Sequence, residues 1–269
     1  MQSIGIYMPT RRESNWEKAE QLGFARGFLE HKLGVVQRAI KETDESNSDL
    51  CVRAFDDLRQ KTSLPIEQIQ LLVVVTQHPE FKVPHAAAVV HNRLGLAKHC
   101  MTFDVSHGCA GFTHGVTIVT GVMETARLDH AVLITCDPYS DKVDPQSKDT
   151  ALLFGDAATA TYFTRTGPGY VLIDSNFGTL PDSYRCLLFR DCLEMDGGAV
   201  FKHACKKCRP ACPKCCKETI SRWTKSICSC CTKARNIWSS TSPAKCASPP
   251  RRLRLKRPIM ATPFRRRSR

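Results

Sequence analysis

The stretch TFDVSHGCAGFTHG, residues Thr102–Gly115, decides the fold of this chain. It starts as a strand, turns sharply at His107-Gly108 and continues from Gly111 with helical spacing. Cys109 lies in the turn, where the free amides and positive dipole end of the following helix favour a thiolate. Gly108 and Gly111 are expected to leave room for a substrate at the sulfur. The pattern predicts a nucleophile or, equally, a small buried core cysteine.

Strand-like and helix-like segments alternate on both sides of this turn. The run LLVVV within Ile69–Gln77 is continuous and β-branched, which is typical of a strand covered on both faces. The alternation predicts a layered α/β fold with a mostly parallel sheet, and a joint between two lobes at Gly167–Gly169. The predicted strands are Ser3–Met8, Ile69–Gln77, Met101–Ser106 and Ala131–Cys136; the predicted helices are Asp49–Lys61, Pro84–Leu96 and Gly111–Arg127; and a compact apolar stretch covers Thr150–Phe163.

The charge of the chain is unevenly distributed. The 269 residues carry a net charge of +13, but residues 205–269 hold 19 Lys and Arg residues against one acid. Nine of the 15 cysteines also lie in this tail, so an acidic body carries a segment of foreign composition. No apolar run approaches the roughly 18–20 residues of a membrane span, and no secretion signal is visible. We therefore expect reduced thiols, no membrane association and a cytoplasmic location.

Six segments of the body carry a further signal: Gly34–Ile40, Ile66–Thr76, Pro84–Leu96, Asp104–Phe112, Leu153–Ala158 and Met195–Phe201. In order and in register, they resemble the β-ketoacyl-acyl-carrier-protein synthase III family, condensing enzymes of the thiolase superfamily. The nucleophile segment is the most informative of the six. The resemblance runs from near Met1 to about Ala204 and implies a thiolase-like layered fold with its first lobe present and its second lobe incomplete.

The resemblance implies a covalent mechanism and a set of site residues. Cys109 would accept an acyl group from acyl-coenzyme A, and malonyl-acyl-carrier protein would then lose carbon dioxide and attack the acyl-enzyme. Its backbone N–H would be one oxyanion donor. Phe154 and Val83 would line the acyl pocket, Val83 from the partner subunit of a homodimer. Phe28 and Lys32 stand near the coenzyme A entrance, where the family often has Trp and Arg. The implied partners are acyl carrier protein and acyl-coenzyme A, with no cofactor, metal or nucleic acid.

The tail lacks two residues that the family uses to bind the malonyl thioester. No histidine follows His203, and no Gly-Asn-Thr sequence occurs. We therefore expect little condensing activity from this chain. Read literally, Cys212-x₂-Cys215 and Cys228-x₂-Cys231 have zinc-ribbon spacing, and the Arg-rich end would suit nucleic acid. A zinc or nucleic-acid-binding protein is thus one alternative function; an ester-forming acyltransferase of the thiolase fold is another.

A shifted reading frame explains the tail better. In the neighbouring frame every cysteine codon becomes Leu, Val or Met, and positions 205, 208, 212, 215 and 216 then form the apolar stripe of an amphipathic helix. The same shift allows His-Gln at 231–233 and Gly-Asn-Thr near 260–263. We therefore predict a frame disruption between about Phe201 and Cys208. The predicted organisation is a nucleophile lobe at 1–166, the start of a second lobe at 167–204 and an out-of-frame, disordered tail at 205–269.

Overall fold

A computed structural model of the chain describes residues 1–181 and 183–204. Strand and helix alternate as predicted through the first 136 residues, and short elements follow. The strands are β1 (Ser3–Tyr7), β2 (Arg12–Ser14), β3 (Gln37–Ala39), β4 (Leu71–Val75), β5 (Met101–Val105), β6 (His130–Cys136), β7 (Ala158–Thr164), β8 (Leu187–Phe189) and β9 (Leu193–Met195). The α-helices are α1 (Asn15–Gln21), α2 (Arg26–Phe28, which continues as a π-helix over Leu29–Leu33), α3 (Asn47–Lys61), α4 (Ala86–Leu94) and α5 (Gly111–Ala126), and 3₁₀ turns cover Ile66–Gln68 and Ser183–Cys186.

Five strands form the main sheet in the order β1-β7-β6-β4-β5. Strand β4, which lies between β5 and β6, is parallel to both of them, whereas β7 is antiparallel to β6 and β1. The expectation of a mostly parallel sheet was therefore wrong for two of the four strand pairs. The reason lies in residues 137–157, which contain no helix, so the chain returns directly beside β6 instead of crossing over.

Helices cover both faces of this sheet, as a fully buried strand requires. Leu72 and Val74 of β4 point into a core shared with α3 and α4, while Leu71, Val73 and Val75 point into a second core shared with α5. All five β4 residues are buried. The layered α/β prediction is confirmed, and α5, the helix that follows the nucleophile turn, lies alone on its face among the described helices.

The chain after β7 packs only partly against this core. Residues 170–180 have no regular secondary structure and expose several apolar side chains, after which β8 and β9 form a hairpin and residues 197–204 are helical. The predicted boundaries at 166 and 204 stay predictions, and the predicted disorder, zinc site and frame shift of the tail lie outside the described residues. No helix in the described ranges is long and apolar enough to cross a membrane.

Candidate active site

Three parallel strands deliver the residues of the candidate site to one edge of the sheet. The carboxyl ends of β4, β5 and β6 lie side by side because the strands are parallel and in register. Gln77 follows β4, Cys109 follows β5, and Asp137 and Tyr139 follow β6. The crevice outside the carboxyl ends of strands is the usual ligand position in open α/β sheets. The fold therefore places Cys109 where a substrate can reach it.

The sulfur of Cys109 is accessible. The thiol is free and its residue is exposed, in a turn closed by the Gly111 N–H, which donates to the Gly108 carbonyl at 2.7 Å. Ala110 is the N-cap of α5 and supplies no side-chain hydrogen bond, so no side chain competes for the positive end of this 16-residue helix. Among the described residues, no acceptor takes the Cys109 backbone N–H. An exposed position excludes the alternative of a buried core cysteine.

The glycines of this segment have a packing role, and the room that they leave for a substrate stays a prediction. A Cβ on Gly111 would lie 2.5 Å from Val75 Cγ1, and one on Gly108 would lie 2.6 Å from Gln77 Oε1. Close packing against the buried Val75 therefore requires glycine at 111, whereas a side chain at 108 would displace the Gln77 carboxamide. Gly115, one turn further along α5, meets Leu133 at 2.8 Å in the same test. Small residues seat the helix, and the nucleophile with it, directly on the sheet.

Gln77 and Tyr139 form a hydrogen-bonded pair beside the turn. The Tyr139 hydroxyl donates to Gln77 Oε1 at 3.0 Å, and the same oxygen packs against Gly108. Burial, followed by the charges of Asp137 and Cys109, raises the pKa of Tyr139 to about 12. The phenol therefore stays protonated and remains a donor at neutral pH. The Tyr139 ring also lies edge-on to His78, with ring centroids 4.6 Å apart.

Asp137 accepts hydrogen bonds from the residues that follow β4. Its Oδ1 accepts the Gln77 backbone N–H at 2.6 Å and the Thr76 hydroxyl at 3.1 Å. Burial raises the pKa of Asp137 to about 6, although the hydrogen bonds from Gln77, Thr76 and His78 act in the opposite direction. Desolvation thus outweighs hydrogen bonding at this carboxyl.

His107 and His114, which flank the nucleophile, pack against each other with ring centroids 4.2 Å apart. His114 Nδ1 lies 3.0 Å from the Ala110 carbonyl oxygen. Partial burial, with a smaller contribution from His114, lowers the pKa of His107, so the neutral ring is favoured there. Both residues therefore make packing contacts beside the turn.

Phe154 lies within the same edge. Its ring centroid is 5.2 Å from that of Tyr139, and its carbonyl accepts from the buried Arg38 guanidinium at 3.0 Å. Asp156, two residues further, accepts the backbone N–H groups of Lys41 and Ser140 at 2.8 and 3.0 Å. These buried polar contacts fix the loop that carries Phe154, whose role in an acyl pocket stays a prediction.

The other predicted substrate residues lie away from this cluster. Phe28 stacks on Phe24 at 4.3 Å in a small core of its own, and Lys32 is exposed at the end of the π-helix that follows α2. Val83 is 87% exposed. The structure does not bring these three side chains to Cys109, and their roles stay predictions. In the described part of the chain, no group of three His, Cys, Asp or Glu residues could hold a metal ion.

Sequence reasoning missed Gln77, Asp137 and Tyr139. Gln77 is the last residue of the predicted strand Ile69–Gln77, and Asp137 and Tyr139 follow the predicted strand Ala131–Cys136. The available signal was that parallel strands end at a common edge. The sequence did not predict the order of the strands in the sheet. Only the pairing of β4 between β5 and β6 makes these three residues neighbours of Cys109.

The family model of 3-oxoacyl-[acyl-carrier-protein (ACP)] synthase III matches residues 103–181. The β-ketoacyl-[acyl-carrier-protein] synthase III of Wolbachia pipientis subsp. Culex pipiens is 31% identical over 214 residues, covering 76% of this chain and 67% of that protein. The corresponding protein of Neisseria gonorrhoeae is 30% identical over 212 residues, covering 75% of this chain and 66% of the relative.

A solved structure agrees with both relatives. The crystal structure of 3-oxoacyl-(acyl carrier protein) synthase III from Pseudomonas aeruginosa superposes with a TM-score of 0.67 at 30% identity, covering 75% of this chain and 64% of that one. The chain thus spans about two thirds of the length of the relatives it matches. The predicted thiolase-like layered fold, with an incomplete second lobe, is confirmed. The sequence identity to the relatives and the superposition of the fold agree: this chain belongs to the β-ketoacyl-[acyl-carrier-protein] synthase III family.

Proposed function

We propose that the chain is an acyltransferase of the 3-oxoacyl-acyl-carrier-protein synthase type, with Cys109 as the acylated nucleophile. The Cys109 thiolate attacks the carbonyl carbon of an acyl-coenzyme A thioester, a new sulfur–carbon bond forms, and coenzyme A leaves as a thiol after taking up a proton. The observation that carries this proposal is the exposed thiol in front of an uncapped helix N-terminus, at the carboxyl edge of the sheet. The free backbone N–H of Cys109 suits an oxyanion donor.

The second half of the reaction is condensation with malonyl-acyl-carrier protein. Loss of carbon dioxide leaves an electron pair on the malonyl-derived carbon, which bonds to the acyl carbonyl carbon and releases the Cys109 thiolate. We propose that the 269-residue chain performs this step poorly. It has no histidine after His203 and no Gly-Asn-Thr sequence to bind the malonyl thioester.

The proposed partners are acyl-coenzyme A, acyl carrier protein and, for the intact form, a second copy of the chain. Strand β5 supports the dimer, because it is the edge of the main sheet and Met101 on it is 51% exposed. An open strand edge favours pairing with another strand. The free cysteines of the described residues suit the proposed cytoplasmic location.

Acylation of the full chain tests the proposal. The protein is incubated with a panel of acyl-coenzyme A esters and its intact mass is measured. We expect a gain of one acyl group that Cys109→Ala abolishes and that Cys192→Ala, a matched change at another free cysteine, leaves intact. Acylation that persists in Cys109→Ala, or none with any ester, would contradict the proposal.

A second arm separates condensation from ester formation. The acylated protein is mixed either with malonyl-acyl-carrier protein or with alcohol acceptors, and the released product is identified by mass spectrometry. We expect slow release with malonyl-acyl-carrier protein and none with alcohols. Rapid ester release would replace condensation by the ester-forming alternative.

A further inference from the structure

We infer that Gln77 contacts the acyl group on Cys109 and selects short acyl thioesters that carry an oxygen on the third carbon over plain alkyl ones. This inference rests on the proposed acylation of Cys109 and adds a substrate class to it. It starts from the carboxamide of Gln77, which is held beside the nucleophile yet leaves its donor groups unused.

Three contacts hold Gln77 in place. Its backbone N–H donates to Asp137 Oδ1 at 2.6 Å, its Oε1 accepts from the Tyr139 hydroxyl at 3.0 Å, and the same oxygen lies against Gly108. Gln77 is itself exposed, so its side chain is held by these contacts and not by burial. Because Tyr139 acts as the donor, Oε1 is committed and the amide plane is oriented.

The two N–H donors on Gln77 Nε2 have no acceptor among the described residues. They belong to a side chain that packs against Gly108, the residue immediately before Cys109. The charge of Cys109 reaches Tyr139, the partner of this side chain, and contributes to its raised pKa. Nε2 lies 3.9 Å from the position that a Cβ on Gly108 would take, so its N–H groups are within reach of an acyl group carried by the neighbouring Cys109.

An oriented donor beside the nucleophile favours a substrate oxygen close to the thioester. An alkyl chain that covers a carboxamide N–H displaces its bound water and offers no hydrogen bond in return. A hydroxyl or keto oxygen at the same place accepts a hydrogen bond from this N–H. A neutral hydrogen bond contributes about 0.5–1.5 kcal/mol, which corresponds to a discrimination of roughly three- to tenfold.

The test compares two esters of equal chain length, 3-hydroxybutyryl-coenzyme A and butyryl-coenzyme A, as acyl donors to the full chain. The readout is the ratio of their initial acylation rates at Cys109, measured by intact mass. We expect Gln77→Leu, which removes the donor at similar size, to lower this ratio about three- to tenfold. Gln77→Glu keeps the acceptor for Tyr139 but loses the N–H groups, and should lower the ratio as well.

Two further variants make the result specific. Tyr139→Phe releases the Gln77 amide and should lower the ratio by a smaller factor. Gln60→Leu, the same change at an exposed glutamine on α3 across the sheet, should leave the ratio unchanged. Measurable acylation with an unchanged ratio in both Gln77 variants would overturn the inference while leaving the proposed function standing. Absence of acylation by both esters in the unmodified chain would overturn the inference, and absence of acylation by every ester of the panel would overturn the proposed function as well.

Discussion

Single residues at the carboxyl edge of the sheet carry charges that the fold does not favour. Asp137 is the clearest case, because burial raises its pKa from an ordinary value near 3.8 to about 6. The folded chain therefore binds a proton at this carboxyl more tightly than the unfolded chain does. Its ionisation destabilises the fold as pH rises from about 4 to about 6, and above that range the destabilisation is complete.

The substitution Asp137→Asn tests this sign. The asparagine keeps an oxygen that can accept from Gln77 and Thr76 but removes the buried charge. We expect its melting temperature, relative to the unmodified chain, to rise as pH increases from 4 to 6 and to level off above 7. Asp44→Asn, at an exposed aspartate, is the control and should show no such trend. A relative melting temperature that falls over this range would show that the carboxylate is stabilising.

At this scale the sequence pointed to Cys109 but not to its neighbours. Cys109 has a local signature, because a strand, a glycine turn and a helix are all adjacent in the chain. Gln77 and Tyr139 have none, because their meaning comes from a contact between residues 62 positions apart.

Among the elements, helix α5 shows how small residues determine where the nucleophile lies. Gly115 and Gly121 belong to this same helix, but they face different surroundings. A Cβ on Gly115 would come within 2.8 Å of Leu133, whereas a Cβ on Gly121 would meet nothing within 4 Å. The same substitution at the two sites should therefore have opposite effects.

We predict that Gly115→Ala lowers the free energy of unfolding by roughly 1–3 kcal/mol, because the added methyl group forces α5 away from β6. Gly121→Ala should raise it by about 0.5–1 kcal/mol through helix propensity alone. Chemical denaturation of both variants measures these changes. The rate at which iodoacetamide alkylates Cys109 should change only in Gly115→Ala, which moves the turn. Equal stabilisation by both alanines would show that α5 has room above the sheet.

Helix and strand positions were predictable to within a few residues, and their pairing was less so. Helix α4 spans Ala86–Leu94 where Pro84–Leu96 was expected, with Gly95 in the left-handed conformation ending it. The antiparallel return of β7 was missed, because hydrophobic periodicity does not encode the direction of a neighbouring strand.

For the molecule as a whole, the described residues form a nucleophile lobe with an uncovered apolar margin. Tyr170, Val171 and Ile173 are 65%, 82% and 60% exposed, which is unusual for adjacent apolar residues in a finished domain. We propose that the incomplete second lobe leaves this margin uncovered, as the predicted frame disruption implies.

Restoring the frame between Phe201 and Cys208 tests this interpretation. We predict that the restored chain condenses acyl groups with malonyl-acyl-carrier protein at least about 100-fold faster than the 269-residue chain, because the missing histidine and asparagine would return. Product formation measures this, and hydrogen exchange should show new protection at Val171 and Ile173. The control is Cys109→Ala in the restored chain, which should remain inactive. A gene sequence with an uninterrupted frame would contradict the prediction.

The sequence by itself determined the layered α/β class, the nucleophile turn and the foreign composition of the tail, because all three are written in local patterns of hydrophobicity, glycine and charge. The tertiary structure decided which strands are neighbours, and through them that Gln77, Asp137 and Tyr139 lie beside Cys109. The physical reason is that hydrogen-bonded strand pairing joins distant parts of the chain, so the chemistry at a sheet edge depends on strand order and not on spacing along the sequence.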